Sequence, residues 1–552
     1  MKRVIVIFLF IVSLLLISCN NSTNFPLKSQ TISRSNPSML NSTINIAVDD
    51  IEFDELIITD DLVKMGGQPV RSVSNTILAT HKDAVDGELL INHDYLYYGI
   101  HNLTYKLSNK GKIVKEYSEE KIITADEYNI AGFSATMPVT DFTLMALNKD
   151  YVTPYFNSSV PTILVLERAW SYSWNNLPEN ILINPFIIDE VIIEGANNNN
   201  YHEYFHNNYD YVAYLYSLNN NSKFNFLIND YWPNQFIDYI EIGIPIDQMK
   251  FVFISDGTAT FNVFKDAYRE MTAENDNSLL IYDEIKNDWI TFKKAIIDNR
   301  NNASNALKAS NRSYIRDFIQ PMLSDEDFDV YWVVNNNSDN NYGGLRAFKE
   351  IIKVNSHFIK LDMNALLNDL NEKEKQSLKM LYAFDNSELT KALGEGKQPV
   401  IFLGTSTSNE QHLSIFCKIM KNLLGDNYAV LYKGHPGHIT NGAETREKIL
   451  KENGYIMLDA SIPAELVAFF NPDCDLAGYP TSTFLTVDKK IPFMCFNKYD
   501  ASYINNVCNY AEVLGDGSFR IVKDRQNNPK YTVWNGFDDW NSLIWIDGDP
   551  NV

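Results

Sequence analysis

Cysteine is scarce and scattered. The chain has 552 residues and 5 cysteines. Four of them, Cys417, Cys474, Cys495 and Cys508, lie in the last quarter, and none forms a CxxC pair. That spacing argues against a zinc site. They read as small core residues, with the alternative that an exported protein pairs two of them. Positive charge is also in short supply: 47 Lys and Arg stand against 70 Asp and Glu, for a net charge of −23. A chain this acidic is not a general nucleic-acid binder. An anionic ligand would need a locally positive pocket of backbone N–H groups, helix ends and a few Lys or His. There is no HExxH or P-loop and no obvious carboxylate pair for Mg2+. No metal requirement is therefore expected. Beyond the N-terminus, no apolar run is long enough to span a bilayer.

What is present begins with MKRVIVIFLFIVSLLLISC. Lys2 and Arg3 form a charged start, an apolar run follows, and Ser18-Cys19 ends it. This has the form of a secretory signal. Its end resembles a bacterial lipobox, in which Cys19 becomes the lipidated first residue; an uncleaved membrane anchor is the alternative. Residues 20–43 are rich in Asn, Ser and Thr and read as a flexible tether.

The remaining length exceeds one core, so two or three domains are expected. Residues 44–158 carry short, partly alternating apolar runs, including 44–48, 88–91 and 143–147. They read as a small β-rich domain of sandwich type. From Pro161 onward, apolar strands alternate with amphipathic stretches, as βαβ units do. Candidate strands are 162–166, 191–193, 224–228 and 251–254, while Asn-rich 197–210 reads as a loop and 263–320 as helical. A second α/β block begins near Gln398, with strands at 400–403, 428–432, 455–458 and 475–478 and helices at 411–424 and 442–453. Two successive α/β blocks imply a cleft between them.

Three strand-to-turn junctions of the second block are suited to phosphate: Gly404-Thr405-Ser406, Gly434-His435-Pro436-Gly437 and Thr481-Ser482-Thr483. Each can offer N–H groups and hydroxyls at the C-terminal edge of a parallel sheet. His435, between Gly and Pro, is restricted toward extended backbone. Its imidazole could donate to a phosphate oxygen, or it could be a turn residue with a local hydrogen bond. In the first block, Ser255-Asp256-Gly257 ends an apolar strand. Asp256 is placed as a general base, or as one half of an ordinary Asp-Gly turn. Glu465, at a helix start, would take a ribose diol or favour the helix N-terminus.

These residues, in this order, resemble the bacterial sialyltransferases of glycosyltransferase family 80. Tyr432-Lys433-Gly434-His435-Pro436-Gly437 is similar to that family's Lys-Gly-His-Pro turn. Ile254-Ser255-Asp256-Gly257-Thr258 is similar to its acidic-acidic-Gly turn, with Ser255 in place of the leading acid. The stretches 400–407 and 476–482 resemble the family's nucleotide-site strands and turns. The resemblance covers roughly 160–552.

It implies an α/β GT-B fold: two Rossmann-like domains facing a cleft, preceded by a β-rich immunoglobulin-like domain. The first Rossmann-like domain, with the acceptor and catalytic base, would span 159–390. The CMP-sugar-binding domain would span 391–530, and a tail, 531–552, would pack back on the first. Implied roles are Asp256 as base and His435 as proton or hydrogen-bond donor. Gly404, Thr405, Lys433, Gly434, Pro436, Glu465, Thr481 and Ser482 would bind CMP. The implied reaction moves sialic acid from CMP-sialic acid to a galactoside-type oligosaccharide or lipooligosaccharide, with inversion and without metal or other cofactor. Family members carry an aromatic residue near 408 that stacks on the acceptor; here it is Ser408, which leaves acceptor and linkage open. The expected location is the bacterial cell envelope, by lipid anchor. Rival readings are a transferase for Kdo or another CMP-activated nonulosonic acid, an inactive glycan-binding surface lipoprotein, and a solute-binding lipoprotein.

Overall fold

The computed structural model describes residues 30–33, 40–48, 51–61, 64–65, 68–69, 73–77, 81–95, 97–133, 135–166, 178, 180–184, 201–256, 268, 277–310, 312, 314–335, 346–404, 413, 417, 425–435, 443–460, 462–478, 483, 487, 493–496, 531–534 and 544–546. The signal segment with Cys19 lies outside them. The chain divides into two compact units. One comprises Met1–Gly132, Ser159–Glu167 and Leu177–Phe224; the other comprises Phe133–Ser158, Arg168–Asn176 and Asn225–Val552. The expected boundary at 158/159 does not coincide with this division, because 133–158 go with the second unit.

Strands of the first unit include β1 (Gln30–Ser33), β2 (Leu40–Ala47), β3 (Glu55–Asp61), β4 (Val73–Ile77), β5 (Glu88–Tyr95), β6 (Gly99–Asn109) and β7 (Lys112–Ile123). They form two antiparallel sheets, ordered β1-β2-β5 and β4-β3-β6-β7. The β6–β7 hairpin turns at Lys110-Gly111, with φ of 53° and 75°. Two positive φ values are what a tight hairpin between twisted strands requires. Leu103, Tyr105 and Leu107 of β6 are fully buried. A β-rich segment is thus present, though these strand orders do not by themselves establish an immunoglobulin-like domain. The unit also holds β8 (Glu127–Phe133) except its last residue, β9 (Thr162–Leu166) and β10 (Ile181–Ile183), with β9 and β10 parallel. Of the stretch 197–210 read as a loop, 201–210 belongs instead to a helix, Tyr201–Leu218, and 197–200 lies outside the described residues. Tyr211, Val212 and Leu215 form its buried stripe, a helical spacing that the weak propensity of Asn conceals. Residues 191–193 lie outside the described residues.

In the second unit, 143–147 is not a strand either. It belongs to helix α1 (Thr136–Leu147), in which every residue from Pro138 to Leu147 is buried. A helix buried all round has no polar face, so periodicity gives no signal. Strands β11 (Lys223–Asn229), β12 (Met249–Ile254), β13 (Asp329–Asn335) and β14 (Phe358–Leu361) lie side by side in that order. The last three are parallel, with Lys250 opposite Asp329 and Trp332 opposite Phe358.

A further sheet contains β15 (Gln398–Leu403), β16 (Tyr428–Lys433), β17 (Ile456–Leu458), β18 (Asp475–Gly478), β19 (Phe493–Phe496), β20 (Tyr531–Trp534) and β21 (Ile544–Ile546). Its order is β17-β16-β15-β18-β19-β20-β21. The first five strands are parallel. Read in sequence they stand 3-2-1-4-5, a Rossmann-like order with its switch point between β15 and β18. The last two are antiparallel additions. Seven residues of the expected tail thus add two strands to this sheet; the rest of 531–552 lies outside the described residues. Val400, Phe402, Leu413, Cys417, Tyr432, Leu450, Tyr455 and Ala477 pack as one core. Cys417 and Cys474 are buried free thiols, as small core residues should be. Among the described residues, no helix is long and apolar enough to cross a membrane.

Candidate functional site

Asp256 follows β12, whose Phe251, Val252, Phe253 and Ile254 are fully buried. A buried parallel strand delivers its C-terminal residues to the edge where α/β sheets bind ligands. Ser255 is still fully buried, and its N–H donates to Val333 O at 2.9 Å. Asp256 is the first residue to reach solvent. Its N–H donates to Asp230 Oδ1 at 3.1 Å. The other oxygen, Asp230 Oδ2, accepts from the indole N–H of Trp332 at 2.9 Å, and the Asp230 N–H donates to Ile254 O at 3.0 Å. One buried carboxylate thus ties the ends of β11 and β12 to the middle of β13 and fixes the Asp256 backbone.

The second turn ends β16. Lys433 is 3% exposed. Its ammonium donates to Gly434 O at 2.7 Å and Ala460 O at 2.8 Å. Burial pushes its pKa down to about 8, against the upward pull of the Glu465 and Asp459 carboxylates. The resemblance implies a phosphate contact for Lys433; the geometry gives its ammonium to the turn itself. His435, two residues on, is exposed. Gly404, at the end of β15, donates its N–H to Lys433 O at 2.9 Å. A Cβ there would collide with the Tyr432 phenol, and one on Gly434 would sit 3.2 Å from Ala460 Cβ. Close approach excludes a side chain at Gly404 unless the buried Tyr432 moves, and leaves little room at Gly434. Gly478, at the end of β18, has φ +117°, and a Cβ would strike the Leu403 backbone. The switch point is therefore lined by glycine on both strands.

Glu465 lies in the first turn of α2 (Ala464–Phe470) and is 6% exposed. Its Oε1 accepts from Thr483 Oγ1 at 2.8 Å. Burial pushes its pKa up, opposed by hydrogen bonds and the Lys433 charge. Its own charge is felt at Asp141 of α1. That carboxyl is fully buried, accepts from Asn335 Nδ2 at 3.0 Å, and is held well above the usual carboxylate range by burial first and Glu465 second. Burial thus biases Asp141 toward its protonated form.

Asp230, Trp332, Asp141, Asn335 and Gly478 were not singled out by sequence. Asp230 had the same signal as Asp256, an acid directly after an apolar strand. Thr405, Pro436, Thr481, Ser482 and Ser408 lie outside the described residues. Among the described residues, no cluster of three or more His, Cys, Asp or Glu could hold a metal ion.

No protein-family model matches the sequence, and no curated protein matches it. Solved structures do. One is a 2,6-sialyltransferase from a Photobacterium species of the Vibrionaceae, in a ternary complex with the donor product CMP and the acceptor substrate lactose. The TM-score is 0.52 at 12% identity, over 86% of this chain and 92% of that one. The fold is α/β of the GT-B class. A sialyltransferase from Photobacterium damsela is similar over 87% of this chain and 96% of that one, at 12% identity. Its TM-score is 0.47.

Proposed function

We propose that this chain is a sialyltransferase-like glycosyltransferase, moving sialic acid from CMP-sialic acid to a hydroxyl of a galactoside-type glycan. The observation that carries this reading is the pair of clipped turns. Asp256 and His435 each emerge at the C-terminal end of a parallel strand, on backbone fixed by a buried charged group. Asp256 takes the proton of the acceptor hydroxyl as its oxygen attacks the anomeric carbon. The bond from that carbon to the CMP phosphate breaks, CMP leaves, and one displacement inverts the centre. His435 donates to the phosphate oxygen as charge develops there. Glu465 holds the ribose, and Gly404, Thr405, Gly434, Pro436, Thr481 and Ser482 line the nucleotide. The turn groups stabilise the leaving phosphate in this reading, so no metal is needed. A lipid on Cys19 would tether the enzyme to the bacterial envelope.

CMP release from CMP-sialic acid with lactose tests this, with and without added Mg2+, in the soluble chain from residue 25. Turnover that collapses in Asp256→Ala and His435→Ala supports both roles. CMP binding without release points to another CMP-activated acid, and absent CMP binding removes the reading.

A further inference from the structure

Beyond the Asp230 clip, the chain displays two aromatic side chains in succession. Tyr231 and Trp232 meet edge to face at 4.9 Å. Trp232 is 47% exposed. The Tyr231 N–H is tied back to Asn229 Oδ1 at 2.8 Å, so the pair stands on anchored backbone. Tyr314, 42% exposed, reaches the same place. Arg316 joins all three: its guanidinium carbon is 4.2 Å from the Tyr314 ring centroid, 5.2 Å from Tyr231 and 5.7 Å from Trp232. Its Nη1 donates to Tyr231 O at 3.4 Å.

Two features set this cluster apart from ordinary surface packing. Among the described residues, Arg316 has no carboxylate partner, in a chain whose net charge is −23. Its Nε is buried and, among the described residues, has no acceptor. A guanidinium presents a rigid fork of donors that matches a carboxylate. Exposed aromatic faces suit the C–H face of a pyranose, and stacking on rings holds the guanidinium in place.

We propose that Trp232, Tyr314 and Arg316 form a subsite for an acidic sugar, its ring face on the aromatics and its carboxylate on Arg316. The subsite deepens the transferase reading and rests on it for its role in turnover. A sugar carboxylate has two possible sources there, the donor's sialic acid or an acidic residue of the acceptor glycan.

The test is NMR titration of the soluble chain with methyl α-sialoside and methyl β-glucuronide, against neutral methyl β-glucoside. The acidic sugars should bind about tenfold tighter, as a charge-assisted hydrogen bond predicts. Arg316→Gln should erase that preference. Trp232→Ala should weaken all three, and Trp232→Phe should keep them. Equal binding of acidic and neutral sugars, a preference that survives Arg316→Gln, or no sugar binding overturns the subsite. In the transfer assay, Arg316→Gln raises KM for CMP-sialic acid if the donor supplies the carboxylate. It raises KM only for an acidic acceptor if the acceptor does. CMP calorimetry keeps the two ideas separable. CMP binding without a sugar preference removes the subsite and leaves the transferase reading; a sugar preference without CMP binding does the reverse.

Discussion

The turns after β12 and β16 present one candidate residue each, and opposite charges hold them. At the first, the Asp230 carboxylate grips an N–H and an indole N–H. At the second, the Lys433 ammonium grips two carbonyls. The sign of each clip follows from which groups the turn leaves unpaired, because buried backbone groups must find partners. The origin differs too. The anionic clip comes from a neighbouring strand, whereas the cationic clip belongs to the motif itself. A charged residue inside a signature turn need not touch the ligand; it can instead shape the backbone that does.

The comparison breaks most visibly in turnover. Asp256→Ala removes a general base but leaves its backbone clip, so CMP release with acceptor should fall by about 10²- to 10⁴-fold. Unfolding by urea should be nearly unchanged, because Asp256 reaches solvent. A large stability loss would mean that Asp256 belongs to the clip.

Lys433 gives the next effect, through pH. Its folded pKa of about 8 lies below its usual 10.5. Between those values the unfolded chain binds more protons, so stability should rise with pH across that window. The rise is worth about 3 kcal/mol at most. Lys433→Met should lack it, which urea unfolding near pH 8 and near pH 10 would show. At neutral pH the variant loses donors for two carbonyls, about 1–3 kcal/mol each, but no longer buries an ammonium. Those terms largely offset, so CMP affinity is the sharper readout, with a fall of about tenfold, or roughly 1.4 kcal/mol.

Asp230→Asn should follow. It replaces an acceptor by an NH2 group that faces another N–H donor. A lost hydrogen bond to a charged group costs about 2 kcal/mol. The loss should appear in urea unfolding, and turnover should fall with it, since the Asp256 backbone is no longer pinned. Full turnover in that variant would remove Asp230 from the comparison.

The legible parts of this architecture are those with local signals. Strands β11, β12, β15, β16 and β18 are apolar runs ended by turn residues, and sequence places them. The Gly404 and Gly434 turns are legible because glycine after an apolar run marks a close approach, tightest at Gly404. The clips are less so. Asp230 and Asp256 are 26 residues apart and meet only when β11 and β12 lie side by side. Nor could the motif reveal that Lys433 turns inward, because the Ala460 carbonyl it binds is 27 residues away. Helix α1 failed for a different reason, being buried on every side from Pro138 to Leu147.

The smallest effect is expected at Asp141, which belongs to neither clip. Its folded pKa is raised by burial and by Glu465. The folded state therefore keeps a proton that the unfolded chain releases above the ordinary carboxylate pKa. Stability from this group is complete below that pKa and is lost as pH rises toward the folded value. Asp141→Asn mimics the neutral acid and keeps the oxygen that accepts from Asn335 Nδ2. Its new amide can also donate to Asn335 Oδ1, which has no partner among the described residues. Near pH 4 the variant should lie within about 1 kcal/mol of the parent. Near pH 7 it should be the more stable protein, since it has no proton to hold. Urea unfolding at both values decides it. A variant that is weaker near pH 7 would mean that Asp141 works as a carboxylate, making it a third buried charge alongside the two clips.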